Sequence, residues 1–229
     1  MKMVRALVGT LALASLGATA LARPAQADSH GGLPNLSGMY VTFGIGGPIT
    51  TKQDFDDTLF GQGSYEPDWG FGGLVEIGRY VGNDWRFGVA VNWVRGFDGE
   101  LRLDDIPLRV DLEGHSDAVS VMFNLDHTIC ELDTVFGKIR PFVGGGLGFV
   151  YYDVQDFGGG GPGDKTDTAF AAALHLGYDM KLGEGLTLTS RYSVAFTGEA
   201  EFDQAAGATT TKDSEVDLLV FTGLRFDLN

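Results

Sequence analysis

The chain has 229 residues, of which 35 are glycine, 16 are phenylalanine and only 7 are proline. This length suits one large sheet or barrel, and the composition favours many strands and turns over disorder. The net charge of −15 argues against a protein that binds nucleic acid by neutralising phosphates. The lone Cys130 excludes an internal disulfide and has no metal-ligand spacing around it. We expect no metal site and no cofactor.

Residues 1–27 have the pattern of an export signal. Lys2 and Arg5 give a positive start, residues 6–22 form an apolar run, and residues 25–27 (AQA) provide a small-x-small cleavage site. We favour a cleaved signal over a membrane anchor helix, because the run is short for a span of about 20 residues.

The part of the chain after the signal divides into a short leader and one folded domain. Residues 20–22 (ALA) offer a second possible cleavage site. Cleavage after Ala27 leaves residues 28–36 as a short periplasmic leader and residues 37–229 as the folded domain. No later apolar run approaches the length of the first, so we expect no membrane-spanning helix in this domain.

Alternation of large apolar residues with small or polar residues predicts strands along this domain. Residues 85–97 give the clearest case: every odd position from Trp85 to Trp93 is large and apolar, and the even positions from Arg86 to Asn92 are small or polar. The eight predicted strands cover residues 38–46, 70–81, 85–97, 118–126, 141–152, 170–180, 186–196 and 216–228.

The connections between these strands alternate in length. Three are short, and they cover residues 82–84, 129–138 and 183–185. Four are predicted to be long polar loops, at residues 48–68, 98–117, 153–167 and 197–215. Short turns at one end and long loops at the other are typical of an outer-membrane barrel.

The long loops hold most of the 31 acidic residues. Such clusters usually mark a solvated face, and a weaker hypothesis is that they collect divalent cations beside lipopolysaccharide phosphates.

Residues 141–152 (PFVGGGLGFVYY) indicate which face of the sheet meets lipid. Gly144, Gly146 and Gly148 lie on one face, and Val143 and Leu147 lie on the other. A soluble eight-stranded barrel would turn its apolar face inward and a polar face to water. The small residues here are too small to form a soluble exterior. We therefore predict an all-β fold, an eight-stranded antiparallel up-and-down transmembrane β-barrel with its glycines facing inward.

The same alternation places charged and polar residues inside the barrel. The predicted lumen polar network consists of Glu76, Arg86, Asn92, Asp126, Arg191 and Arg225. Asp179, Asp227 and His175 share this inward parity. Buried charges need partners, and eight strands enclose little more than side chains. We therefore favour a lumen plugged by ion pairs, with Arg191 or Arg86 near the centre, over a water-filled pore.

Two short motifs raise the possibility of nucleotide binding or catalysis, and neither is favoured. Residues 158–166 (GGGGPGDKT) depart from a phosphate-binding loop because Asp164 stands directly before the lysine. Residues 113–116 (EGHS) combine the acid, histidine and serine of outer-membrane lipid A acyltransferases or deacylases. His115 and Ser116 would point to opposite faces if a strand runs through them. We expect no catalytic residues and a protein that is not an enzyme.

Four segments resemble a known family. They are SGMYVTFGIGG (37–47), SVMFNLDH (120–127), RPFVGGGLG (140–148) and FTGLRFDLN (221–229). With the strand spacing, they resemble the small outer-membrane β-barrel proteins, the group that contains OmpA-type transmembrane domains and opacity-type proteins. The resemblance covers residues 37–229, and after the last strand we expect no peptidoglycan-binding domain of the kind that full-length OmpA-type proteins carry.

The resemblance implies a location and a set of partners. It implies a monomer in the outer membrane of a Gram-negative bacterium, inserted by the barrel-assembly machinery and surrounded by lipid and lipopolysaccharide. A structural or surface-interaction role in the envelope is favoured. The alternative is a narrow porin-like channel for small solutes, followed by a lipid A-modifying enzyme and then by a soluble periplasmic ligand carrier.

Overall fold

The computed structural model describes residues 36–50, 53–57, 61–103, 109–135, 137–155, 165–203, 209–212 and 215–228. The predicted signal, all of the predicted leader except its last residue and most of the glycine-rich segment at 158–166 lie outside these described residues. The unit Gly38–Asn229 contains every described strand. Within the described ranges, no helix is both long and apolar enough to span a membrane.

The described part of the chain contains twelve strands. They are β1 (Met39–Thr50), β2 (Gln53–Asp57), β3 (Gly61–Val81), β4 (Trp85–Leu103), β5 (Arg109–Thr128), β6 (Leu132–Thr134), β7 (Gly137–Gln155), β8 (Lys165–Gly183), β9 (Leu186–Thr197), β10 (Ala200–Asp203), β11 (Thr209–Lys212) and β12 (Glu215–Leu228). Eight of these form the wall of a barrel, and we call them the barrel strands: β1, β3, β4, β5, β7, β8, β9 and β12.

The barrel closes through its first strand. Gly44 of β1 is paired with Gly223 of β12 on one side and with Leu74 of β3 on the other. Every other neighbour in the ring is also antiparallel. The predicted fold, a closed eight-stranded antiparallel barrel, is confirmed.

Large apolar side chains cover the outside of the wall, as the alternation predicted. On β8, Leu174 is 62% exposed, whereas its neighbours Ala173 and His175 are 8% and 7% exposed. The same contrast recurs around the ring, where the exposed side chains include Phe43, Ile45, Phe71, Phe123, Leu125, Val143, Leu147, Phe149, Phe170, Leu176 and Phe196. A strand has period two, so each barrel strand contributes one face to this apolar band and the other to the lumen.

The glycine-rich part of β7 faces the lumen at a point where β5 approaches it closely. A Cβ atom added at Gly144 would overlap the Asp126 carboxylate, and one added at Gly148 would overlap the carbonyl oxygen of Val121. Glycine is therefore required here by the close approach of groups from β5.

The short connections agree with the sequence. Tight turns join β3 to β4 and β8 to β9, with Gly82 and Gly185 at φ values of 65° and 68° that favour glycine. The connection at 129–138 is more structured than a simple turn, because Leu132 of β6 is paired with Ile139 of β7.

The four connections predicted as long loops contain more strand than expected. Pairing of β4 with β5 continues to Arg102 and Arg109, and Thr211 of β11 is paired with Asp56 of β2. The first and last of these connections therefore join into one sheet beyond the barrel. These segments are rich in charged and polar residues and were therefore expected to be loops, although residues 100–103 (ELRL) and 109–112 (RVDL) do alternate.

The steric role of the inward glycines gives a first prediction. Gly148→Ala should lower the free energy of unfolding by about 1–3 kcal/mol, the usual cost of overpacking, because the new methyl group meets backbone atoms of β5. Gly73→Ala is the matched control, since the nearest atom to its Cβ is 3.8 Å away. Urea titration of the refolded barrel measures both, and equal unfolding midpoints would contradict the close approach.

Candidate functional site

Six charged side chains form one connected chain across the lumen, and we call them the lumen network. They are Glu76, Arg191, Asp126, Arg86, Asp179 and Arg225, in the order in which they touch. Acids and guanidiniums alternate along this chain, so three negative charges meet three positive ones. Each member comes from a different barrel strand.

The first half of the lumen network is centred on Asp126. Arg191 donates from Nη1 to Glu76 Oε2 at 2.7 Å and from Nη2 to Asp126 Oδ2 at 2.9 Å. Arg86 Nε donates to the same Asp126 oxygen at 3.0 Å. One carboxylate oxygen therefore holds two guanidiniums, and the planar fork of Arg191 spans two acids, an arrangement that suits arginine and not lysine.

The second half of the lumen network converges on Asp179. Arg86 Nη1 and Arg225 Nη2 both lie near Asp179 Oδ2, at 2.5 Å and 2.6 Å. Arg86 thus links Asp126 to Asp179. Both carboxylates and both arginines are at most 5% exposed, so the pairs are shielded from bulk water.

The two barrel strands that supply no charge to the lumen network supply aromatic rings. The Tyr40 hydroxyl of β1 donates to Glu76 Oε1 at 2.7 Å. The Phe142 ring of β7 lies under the Arg86 guanidinium, 4.1 Å from its carbon to the ring centroid. A cation over an aromatic face is favourable, and it covers a side of Arg86 that bears no hydrogen.

A neutral relay continues from Glu76 toward the long-connection end of the barrel. Asn124 Nδ2 donates to Glu76 Oε2 at 2.9 Å, which leaves its Oδ1 to accept from His175 Nε2 at 3.1 Å. His175 Nδ1 is then the acceptor for the Ser193 hydroxyl at 2.9 Å. The bonds therefore assign the neutral Nε2–H tautomer to His175.

This serine, histidine and asparagine set resembles a hydrolase arrangement in composition, because a serine hydroxyl donates to a histidine nitrogen. The three side chains are at most 7% exposed inside the lumen. A nucleophile needs room for a substrate carbonyl beside it, and here the neighbouring groups fill that space.

An apolar layer lies on the far side of this relay from the lumen network. Buried Met122, Val150 and Tyr152 pack there, and small residues complete the layer: Ala169, Ala171, Ala173, Ala118 and Ala195. Large groups from β5 and β7 thus pack beside alanines of the neighbouring strands β8 and β9 and of β5 itself, on one side of the narrow interior.

The space left around the lumen network is small. A cavity of about 10 Å³ lies beside Arg191 and Arg225, with Thr42, Thr189 and Glu76 also in its wall. A volume of about 10–15 Å³ suits one water molecule. Among the described residues, the buried Nε of Arg225 finds no protein acceptor, which matches a site for a single bound water.

The structure brings together five of the six residues predicted for the lumen. Asn92 is the exception, since its Nδ2 donates to Ser120 Oγ at 2.9 Å on the adjacent strand and it lies apart from the six-membered chain. The alternation correctly placed Asn92 on the inner side of the wall, but parity does not specify depth along the barrel.

Several residues of the site were missed or only partly recognised from the sequence. Asp179 had the inward parity and proves to bridge Arg86 and Arg225. Tyr40 and Phe142 were not singled out because large aromatic residues were assigned to lipid. His175 was expected to find hydrogen-bond partners among the inward-facing residues near Asp179. Its partners are Asn124 and Ser193 instead.

The candidate enzyme motif lies in a continuous strand. His115 and Ser116 are consecutive residues of β5, paired with Phe97 and Gly96 of β4. A strand therefore runs through both residues, which is the condition under which the sequence predicted that they would not act as a catalytic pair.

Comparison with known proteins supports the fold. No family model matches the chain, and no curated protein matches its sequence. The solved structure of Neisserial surface protein A is 18% identical with a TM-score of 0.51, covering 84% of this chain and 98% of that one. The outer membrane protein OprG from Pseudomonas aeruginosa is 13% identical with a TM-score of 0.55, covering 84% and 97%. The outer membrane protein AlkL in lipid bilayers is 16% identical with a TM-score of 0.50, covering 90% and 94%. The chain therefore shares the fold of small outer-membrane barrels.

The central position of Asp126 gives a second prediction. Asp126→Asn keeps the shape and removes the charge that holds Arg191 and Arg86, so we expect a loss of about 3–5 kcal/mol in the free energy of unfolding. Asn92→Ala is the inward control outside the lumen network, and it should cost about 1 kcal/mol for one hydrogen bond. Urea unfolding followed by circular dichroism measures both losses. A loss at Asp126 no larger than that at Asn92 would show that the ion pairs do not hold the barrel together.

Proposed function

We propose that this chain is an outer-membrane β-barrel protein of a Gram-negative bacterium, with a structural or surface-interaction role and a closed lumen. The observation that carries this proposal is the alternating chain of six charges that crosses the barrel interior. Paired charges that occupy the interior stabilise the barrel and leave little space for a solute to pass.

The location is supported by the outer surface of the barrel. Exposed large apolar side chains surround the ring, an arrangement that water does not favour and that lipid does. Aromatic residues on the outer face of β4 mark both edges of this band: Trp85 makes an edge-to-face contact with His127 near one end, and Trp93 lies near the other. Eight residue steps along a tilted strand, from Trp85 to Trp93, span about 20 Å, which approaches the usual height of such a band.

At the Trp93 edge of the apolar band, the outer face carries an ion pair between Arg95 and Asp117. Arg95 donates to both oxygens of Asp117, at 2.7 Å and 2.6 Å, and Trp93 Nε1 donates to Asp117 Oδ1 at 3.1 Å. Charged side chains are costly in hydrocarbon and tolerated at its boundary. We therefore place the outer membrane surface at this row, with the long connections outside and the turns at 82–84 and 183–185 in the periplasm.

The closure is supported by two barriers in series. The lumen network crosses the interior with paired charges, and the apolar layer around Tyr152 and Met122, formed by β5, β7, β8 and β9, lies on the side of the long connections. The cavity beside Arg191 holds about one water molecule and no continuous column. An ion that entered would have to displace a buried ion pair and then cross an apolar constriction.

The remaining features support a non-catalytic monomer. One chain closes its own ring through β1 and β12, so it needs no partner to complete the sheet. Ser193 and His175 are enclosed, which argues against an enzyme. The partners we propose are outer-membrane lipid, lipopolysaccharide and, during biogenesis, the barrel-assembly machinery. The sheet that joins β2 to β10 and β11 offers an outer surface for interaction.

The proposed membrane location predicts the effect of charge on the outer face. Val89→Arg, midway between Trp85 and Trp93, and Leu174→Arg should each lower the free energy of unfolding in phospholipid vesicles by about 2–4 kcal/mol, the cost of arginine at the bilayer midplane of a barrel. Asn83→Arg, in an exposed turn, is the control and should change it little. Equal tolerance at all three positions would argue that this face does not meet lipid.

The closed lumen is tested by planar-bilayer recording of the refolded protein. The wild type should show no steady conductance. Arg86→Ala should show almost no conductance, because the apolar layer stays intact. The combined variant Arg86→Ala, Tyr152→Ala should conduct ions, because it opens both barriers. Circular dichroism first establishes that each variant retains its strands.

Two outcomes of the recording discriminate between the functions. A silent wild type and a conducting double variant support the plug. Steady wild-type conductance that Arg86→Ala leaves unchanged would overturn the plug and favour a narrow channel for small solutes.

A further inference from the structure

The connection between β5 and β7 is a hairpin with two unlike faces. Leu132 of β6 is paired with Ile139 of β7, and the next pair is Asp133 with Lys138. Paired residues share a face of the sheet, and successive residues alternate between faces. Leu132 and Ile139 therefore lie on one side of the hairpin, and Asp133 and Lys138 lie on the other.

The apolar side of this hairpin continues the outer face of the barrel. Ile139 is paired with Met180 of β8, and Met180 is paired with Leu188 of β9. Both Met180 and Leu188 belong to the outward-facing set of their strands. Leu132, on β6, thus continues the apolar band next to β7. It does so past Thr128, where β5 ends.

The charged side of the hairpin is held by polar contacts at the barrel end. The Lys138 ammonium contacts the Glu131 carboxylate, and Arg140 Nη2 donates to the carbonyl oxygen of Asn83 at 3.1 Å. Thr134 Oγ1 donates to the Gly137 carbonyl oxygen at 2.7 Å and closes the tip. These contacts fix the orientation of the hairpin against the neighbouring turn, so its two faces keep their directions.

Apolar side chains at this connection are unusually exposed for a turn. Val135 at the tip is 94% exposed, Ile129 is 58% and Leu132 is 48%. The two other short turns carry only glycine, asparagine, aspartate and glutamate at residues 82–84 and 183–185. An apolar tip exposed to water is unfavourable, because apolar surface gains free energy when it leaves water. The difference between the turns therefore points to a different environment for this one.

We propose that the hairpin of β6 and β7 is an interfacial anchor, with Leu132, Val135 and Ile129 inserted among the phospholipids of the periplasmic leaflet. The continuity of the apolar face with the lipid-facing band identifies the occupant as the lipid surface next to the barrel, and the opposite charged face remains in water. This inference rests on the proposed outer-membrane location.

The test uses an environment-sensitive fluorophore on single cysteines. Cys130→Ser removes the exposed native thiol, and Leu132→Cys and Val135→Cys are then labelled in the full chain. Leu174→Cys is the control in the apolar band, and Asn83→Cys is the control in a polar turn. Each protein is refolded into vesicles of phosphatidylethanolamine and phosphatidylglycerol. Quenching by brominated acyl chains reports contact with lipid, and quenching by iodide reports contact with water.

We expect labels at positions 132 and 135 to be quenched by brominated lipid and to be several-fold less accessible to iodide than the label at position 83. If they are as accessible to iodide as position 83, while position 174 is quenched by lipid, the anchor is wrong and the membrane location stands. If position 174 also escapes lipid quenching in folded protein, the membrane location fails and the anchor fails with it.

Discussion

The carboxylate of Asp126, held between the guanidiniums of Arg191 and Arg86, is the constraint on which the rest of the barrel depends. A charge inside a narrow, shielded interior is tolerated only if its partners surround it. The partners must come from strands that lie far apart in the chain, so the ion pairs tie β4, β5 and β9 together. The same carboxylate explains why β7 carries Gly144 opposite it, because any side chain there would occupy its space. The charge, its partners and the missing side chain form one arrangement.

Filling the interior in this way fixes the exterior as well. Inward and outward residues alternate along each strand, so a slip of one residue would turn Arg86 outward and bring Trp85 or Phe87 into the lumen. Both changes are unfavourable at once, since the lumen loses its ion pairs and the apolar band gains charges. The register of β4 against β5, with Arg86 opposite Asp126, is therefore stabilised from both faces of the wall. This double penalty explains how a barrel with little apolar core can specify a single register.

The features that could be predicted from the sequence are those that depend on parity. The eight strands, their outward faces and the inward position of Arg86, Glu76 and Asp126 follow from a period of two. The contacts among them do not, because partners across the lumen depend on the stagger of the strands, and parity does not specify stagger. Asn92 shows this limit: it faces inward, yet it lies at another depth and bonds to Ser120. The strand extensions beyond the band were missed for a different reason, since their many charged and polar residues resemble those of loops, even where residues 100–103 (ELRL) alternate.

A filled interior also determines where this protein can meet other molecules. Among the described residues, the lumen network and the apolar layer lie inside the barrel, and the cavity beside Arg191 and Arg225 has room for about one water molecule. The outer face of the wall is apolar and suited to lipid. Interaction with anything other than lipid is then left to the two ends of the barrel, which differ in character. One end carries the sheet of β2, β10 and β11, and the other carries two small polar turns and the apolar hairpin at Leu132. We therefore propose the end with this sheet as the surface for recognition, and the hairpin as the contact of the opposite end with the membrane.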